Sequence, residues 1–282
     1  MNWQAILFSF TAMIFMLVIA RYVYQAVMKI NMHDAVVMKD CPSIGIAVAG
    51  YLFGVVQIIA AVLRGDGHTS FLTDALIVSA YGIGGIVLLS LLALFGFKWI
   101  HNIDVVTEVA NRNTAAGIIA AGGFISTSLV IAGTVSGDNT GGDWLTAIVF
   151  FLVGQVSLHV LTRLYRILTA YDDAIEINNG NTAAALAYAG VMIGIALAIH
   201  YGLQGEFVGY GQSLIGYGKS LLVIIFFYPI RQFLVQGLVL GSGFAIYGGE
   251  LDKEIARDRN ISVGTIEAAA YIGTSLLITQ LA

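Results

Sequence analysis

Arg231 stands inside a long apolar run, Ser220 to Gly241, two residues past Pro229. An arginine near the middle of a bilayer costs at least about 2.5–3.5 kcal/mol on insertion scales, so it should face a bundle interior or water and meet a counter-charge. Pro229 has no N–H. It frees the carbonyl of Ile225 and kinks its helix. Glu267, about one turn into the last apolar run, is the natural partner, and there it also gains from the positive end of its own helix. Gln155, His159, Arg163 and Arg166 recur near helical spacing in a further run, with 159, 163 and 166 on one face. The two arginines are placed to snorkel toward the interface. His159 lies deeper, at about the depth of Arg21 in the first run. Arg231, Glu267, His159, Gln155 and Arg21 are therefore the candidate intramembrane polar site: either a charge pair that holds a kink, or the lining of an ion pathway.

The place that matches Pro229 in an earlier run is a glycine cluster, Gly82, Gly84 and Gly85. Tyr81-Gly82-Ile83-Gly84 aligns with Tyr228-Pro229-Ile230-Arg231 at the offset that also aligns Asn113 with Asn260. Helix breaks at corresponding places in two halves point to a transport site. Chemistry of other kinds has no support. The chain has no P-loop, GxSxG or HExxH, and no haem ligand pair, so no catalytic, cofactor-binding or metal residue is assigned and no enzyme is expected. Cys41 is the only cysteine, which excludes an intramolecular disulfide and a Cys/His metal set. A formal net charge of −4 argues against a nucleic-acid partner.

The elements that must position these residues are membrane helices. Of 282 residues 58% are hydrophobic and 11% charged, with mean hydropathy +0.86. Soluble domains carry about 25% charged residues. The apolar runs are Trp3–Val27, Ile44–Leu63, Ala75–Phe97, Thr114–Val135, Trp144–Leu168, Thr182–Leu203, Ser220–Gly241 and Ile261–Ala282. About 20 apolar residues cross the hydrocarbon core, and backbone groups in lipid must bond within the segment, so these are eight helices in a lipid bilayer. Gln204 to Gly218 reads as a glycine-tyrosine loop. The first run has no basic start and is too long for a signal peptide, so it reads as a retained span. Linkers after odd runs, counted with Arg163 and Arg166 at the end of the fifth run, hold nine Lys/Arg and those after even runs two. That bias puts the odd linkers in the cytoplasm and both termini on the non-cytoplasmic side.

One punctuation recurs. Asp104 and Glu108 lead to Asn113-Thr114-Ala115-Ala116-Gly117; Asp172, Asp173 and Glu176 lead to Asn181-Thr182-Ala183-Ala184-Ala185. Looser copies follow Asp34 (Cys41-Pro42-Ser43-Ile44-Gly45) and Glu254 (Asn260-Ile261-Ser262-Val263-Gly264). Asn caps a helix by accepting from an orphan backbone N–H, and the Ala/Gly faces beyond it suit close packing in lipid. The exposed helix N-termini are the rival reading, as anion sites for headgroups or phosphate. A unit repeated every two spans keeps one orientation, so the hairpins are parallel repeats. The fold expected is all-α and polytopic: two four-helix repeats, residues 1–141 and 142–282, made of four parallel hairpins. The linker acids Asp34, Asp104, Glu108, Asp172, Asp173, Glu176, Glu250 and Glu254 read as a solvated surface, with partner docking or polyamine binding as the alternative.

Thr169 to Ala184, with Asp173, Glu176 and Asn181, resembles the linker signature of the YjfL-like bacterial inner-membrane proteins, domain-of-unknown-function family 350. Glu108 to Gly117, with Asn113, resembles that family's second signature. A typical member resembles one four-helix half, so this chain looks like two tandem copies. Pro42-Ser43 departs from the motif in the first linker, and Ile261-Ser262 in the last. The resemblance implies an inner-membrane, envelope-maintenance or membrane-stress role, with a PspA-like peripheral membrane protein as partner through the cytoplasmic linkers. It names no reaction. The rival function is a channel or transporter for a small ion or polyamine using Arg231, Glu267 and His159. Oligomeric state is open, a homo-oligomer included.

Overall fold

The structure is a computed structural model that describes residues 3–64, 71–135, 144–204 and 207–281. The regular elements among them are all helical. In chain order they are α1 (Trp3–Met28), a single π turn (Asp34–Met38), α2 (Pro42–Leu63), α3 (Phe71–Ile100), α4 (Val105–Ala110), α5 (Thr114–Val135), α6 (Trp144–Arg166), α7 (Asp173–Asn178), α8 (Thr182–Leu203), α9 (Tyr210–Ser220), α10 (Phe227–Pro229), α11 (Glu250–Ala256) and α12 (Ile261–Leu281). A 3₁₀ segment, Leu221–Phe226, precedes α10, and a π-helix, Ile230–Val239, follows it. Eight candidate spans result, the seventh running Tyr210–Val239. The boundary expected between 141 and 142 falls outside the described residues.

Three expectations about local structure need correction. The seventh span begins at Tyr210, inside the stretch read as a glycine-tyrosine loop. Its Gly, Gln, Ser and Lys lower hydropathy, yet they keep every backbone donor, and Tyr217 is buried. The linkers are not plain loops. Asp104 caps α4 by accepting from Thr107 N, and Asp172 caps α7 by accepting from Ala174 N and Ile175 N. Val105, Val109, Ile177, Leu251 and Ile255 turn an apolar side inward. Finally, α3 runs unbroken through Gly82, Gly84 and Gly85. Glycine weakens a helix but retains its N–H; only Pro229 removes a donor, so the break belongs to the second half alone. Gly82 and Gly85 instead make room for Met16 and Ile58.

The second helix of each hairpin, α2, α5, α8 and α12, joins one row in which each packs chiefly on the next. α1, α3, α6 and the 210–239 span stand outside it. The middle helices are largely enclosed, with 83% of the apolar window of α5 and 78% of that of α8 buried, against 50% for α2 and 28% for α12. The row therefore has two open ends, and its helix N-termini do not close into a ring.

Each joint in the row repeats the same parts. The ninth residue of one helix is a glycine set against the eighth residue, an alanine, of the next: Gly50 on Ala121, Gly122 on Ala189, Gly190 on Ala268. A Cβ on any of these glycines would overlap the neighbour, so glycine is required and dispersion contact replaces side-chain filling. Above the packing runs a hydrogen-bond relay from each helix entry to the next linker helix. Ser43 Oγ donates to Val109 O at 2.8 Å, Asn113 Nδ2 to Ile177 O at 2.9 Å, and Asn181 Nδ2 to Ile255 O at 2.8 Å. The residue before each entry, Asp40, Arg112, Gly180 or Arg259, has a left-handed backbone, with φ of 42, 65, 79 and 52°. Three of the four carry a side chain there, which costs roughly 1–2 kcal/mol per residue and is held by the bonds on either side.

Candidate functional site

The motif positions serve the corner where each linker turns into its span, the hinge of the hairpin. Asn113 Oδ1 accepts from Ala116 N, Asn181 Oδ1 from Ala184 N, and Asn260 Oδ1 from Ser262 N and Val263 N. Their Nδ2 groups also donate to Glu108, Glu176 and Glu254 at 3.1, 2.9 and 2.8 Å. One amide thus satisfies the helix entry, its own linker acid and, for Asn113 and Asn181, the next linker. Glu108, Glu176 and Glu254 are accordingly part of the hinge and not free solvated charges.

Arg231 is fully buried. Its Nε donates to Glu267 Oε1 at 2.7 Å, and its Nη2 donates to Asp252 Oδ1. Asp252 lies on the linker helix α11, which places Arg231 toward the linker side of the membrane and not at its middle. Glu267 is six residues past the start of α12, about 9 Å in at 1.5 Å per residue. The break is what delivers the arginine there. After Pro229 the chain continues as a π-helix, which widens the turn and buries Arg231, Gln232, Val235 and Gln236. The π-helix occurs mostly as single turns, frequently at functional sites; here ten residues adopt the form. Gln236 braces α11 by accepting from Leu251 N at 3.2 Å.

The cluster is not fully satisfied. Arg231 Nη1, Asp252 Oδ2, Glu267 Oε2 and Gln232 Oε1 are buried without a hydrogen-bond partner. Two carboxylates facing one guanidinium leave a negative excess when all three are ionised. In a low-dielectric site that excess favours a neighbouring cation.

A second polar group adjoins the first. Tyr165 donates to Tyr271 at 2.8 Å, and Tyr271 donates in turn to Glu267. A small cavity lined by Tyr165, Tyr171, Asp173, Tyr188 and Glu267, among others, sits between the groups. Beyond it Arg166 Nε donates to Asp173 Oδ2 at 3.1 Å while its guanidinium covers the Tyr188 ring at 5.1 Å. Tyr188 Oη lies 2.7 Å from His101 Nδ1, and His101 Nε2 lies 3.0 Å from His159 Nδ1. Gly96 leaves room for the His159 ring. Burial pushes the Asp173 carboxyl up to about 7, only partly opposed by Arg166. Burial, reinforced by His159, Arg166 and Arg163, pushes the His101 imidazole down to about 3 and keeps it neutral.

The structure therefore pairs Arg231 with Glu267 and sets His159 in the adjoining His–Tyr–Arg–Asp series. It does not bring Gln155 or Arg21 to them. Gln155 is buried with both amide atoms unpartnered, and Arg21 is exposed. Arg163 is exposed and donates to Ile100 O at 2.5 Å. Cys41 is buried beside Ser43 Oγ at 3.2 Å. His200, near the end of α8, contacts the Leu129 carbonyl at 2.8 Å. Sequence reasoning missed Asp252, Tyr271, His101 and Tyr188. Asp252 was legible in principle: Leu251 and Ile255 give its linker a helical apolar period, and Asp252 follows the first of them. No group of three or more His, Cys, Asp or Glu able to hold a metal occurs among the described residues.

Eight apolar helices with a buried ionic cluster define an integral, multi-pass helical membrane protein. The family model for the Domain of Unknown Function DUF350 matches twice, at residues 1–135 and 139–281. The chain belongs to that family, as two tandem copies. A UPF0719 transmembrane protein of Aquifex aeolicus (strain VF5) is 21% identical over 193 residues, 65% of this chain and 67% of that protein. The UPF0719 transmembrane protein YshE of Bacillus subtilis (strain 168) is 27% identical over 134 residues, 46% of this chain and 87% of that protein. No solved structure matches.

Proposed function

We propose that the protein is a channel or transporter for a proton or small cation, and that its second half carries the ion-handling site. The observation that supports this is the Arg231–Asp252–Glu267 cluster. It is buried at a helix break, holds more carboxylate than guanidinium, and retains unpartnered oxygens on both acids. A cluster kept only to hold a kink would gain by pairing those oxygens, since unpaired buried polar atoms cost about 1–3 kcal/mol each. The tyrosine and histidine series through Tyr271, Tyr165, Asp173 and Tyr188 supplies adjoining groups that can exchange protons. The site of action in this reading is the bacterial inner membrane, with the linkers cytoplasmic and both termini outside.

Flux in proteoliposomes tests it. A pH-sensitive dye, potassium and spermidine serve as probes under an imposed gradient. The reading expects flux above empty vesicles and loss of that flux in Glu267→Gln and Arg231→Gln. Flux no greater than in empty vesicles for all three probes, or flux unchanged in both variants, removes it.

A second reading is envelope maintenance by docking of a PspA-like peripheral membrane protein on the linkers. Part of the linker surface favours it: the half-exposed acids Asp34, Asp172 and Glu250 lie on the same side as exposed Val37, Met38 and Ile175. Replacing those three acids by Ala should abolish copurification of such a partner, and unchanged copurification would count against the docking.

A further inference from the structure

We infer that the open ends of the helix row are the two halves of one more joint, and that a second copy of this chain completes it head to tail. The chain makes this joint three times internally, and each part of it has a counterpart left over. At the α2 end, the fourth residue of the helix is Gly45. A Cβ on its equivalents Gly117 and Gly264 would overlap the backbone of Ser43 and Ala183, the second residues of the preceding helices, whereas one on Gly45 would meet nothing within 4 Å. At the α12 end, the thirteenth residue is Gly273. A Cβ on its equivalents Gly54 and Gly194 would crowd the carbonyls of Phe124 and Tyr271 at 3.1 and 3.2 Å, whereas one on Gly273 would meet nothing within 4 Å. The eighth residue of α2, Ala49, and the ninth of α12, Ala269, are exposed, while the ninth residues inside the row are buried. The relay stops in the same way. Asn260 Nδ2 bonds its own Glu254, and among the described residues it reaches no further linker helix as Asn113 and Asn181 do.

The half left at α12 fits the half left at α2 and not itself, so the contact is heterologous: α12 of one copy against α2 of the next. Such contacts close into rings or extend as open chains. Parallel repeats share one orientation in the membrane, so a second copy can dock without turning over. Ala269 stands where the internal joints have glycine, which sets the intermolecular joint wider by about a methyl group and makes it the weakest of the four. Small faces of this kind associate in lipid by close backbone contact.

The test uses the full chain with Cys41→Ser, carrying Ala49→Cys or Ala269→Cys, each with its own epitope tag, expressed together or singly in membranes and oxidised with copper phenanthroline. Two residues in such a joint lie within disulfide reach. Disulfide-linked dimers are expected when the two variants are mixed and not when either is alone. Cross-linking of Ala49→Cys to itself and of Ala269→Cys to itself, or no cross-link in any mixture, overturns the inference. An independent measurement takes the unsubstituted chain in native-lipid nanodiscs by native mass spectrometry. At least two copies per particle are expected, more in Ala269→Gly and fewer in Gly45→Leu; a strict monomer also overturns it.

Discussion

Arg231 Nε and Glu267 Oε1 lie 2.7 Å apart although thirty-six residues of chain separate them. Both groups are buried, and the acid of α11 shares the guanidinium. Breaking such a pair by removing one partner costs about 3–5 kcal/mol, whereas replacing all members by apolar residues can be nearly neutral. Arg231→Met should therefore lower the melting temperature strongly in detergent. The triple variant Arg231→Met, Asp252→Leu, Glu267→Leu should recover most of that loss and still show no flux. Thermal unfolding of the purified variants measures the first effect and proteoliposome flux the second.

Asp173 links pH to stability. Its carboxyl is raised from 3.8 to about 7 by burial. A folded-state pKa above the unfolded value means that the folded protein holds the proton more tightly. The stabilisation is full below about 4 and is lost as pH rises through about 7. Wild-type stability should fall across that window, and Asp173→Asn should flatten the slope. Melting temperatures from pH 4 to 8 decide it, and a parallel slope in the variant would sink the assignment.

The two hinge asparagines differ in burial. Asn181 is fully buried, whereas Asn113 is only half-buried. Removing a cap costs about 0.5–2 kcal/mol, and Asn181→Ala additionally strands the Ile255 carbonyl in a buried place. Asn181→Ala should destabilise more than Asn113→Ala by roughly 1 kcal/mol or more. Denaturant or thermal unfolding of the pair compares them directly.

Glycines of one type should answer substitution in opposite ways. A Cβ at Gly190 would overlap Ala268, and one at Gly84 meets nothing within 4 Å. Gly190→Ala should loosen the row and lower stability. Gly84→Ala should be neutral or raise stability by up to about 1 kcal/mol through helix propensity. Expression level and melting temperature separate the outcomes.

Eight spans place both termini on one side. With the linkers cytoplasmic, a C-terminal alkaline phosphatase fusion should be active and a C-terminal green fluorescent protein fusion dark. The reverse pattern would invert the orientation while leaving the fold intact.

By itself the sequence determined the number of spans, because hydropathy over about 20 residues is a local property that lipid imposes. It also carried the Asn-capped helix entries at 113, 181 and 260, since a cap is a contact between near neighbours in the chain. The pairing of Arg231 with Glu267 was legible because two charges in apolar runs have few places to go. Only the tertiary structure decided that Asp252 shares that arginine, because a linker acid looks solvated until its helix is seen folded against the span. It alone decided that Gln155 and Arg21 stand apart from the cluster and that His101 and Tyr188 adjoin it, because depth along a helix does not fix which way a side chain faces. It also decided that the four hairpins form an open row. Glycine and alanine spacings mark each face as able to pack, but which face meets which depends on backbones approaching across more than sixty residues of chain.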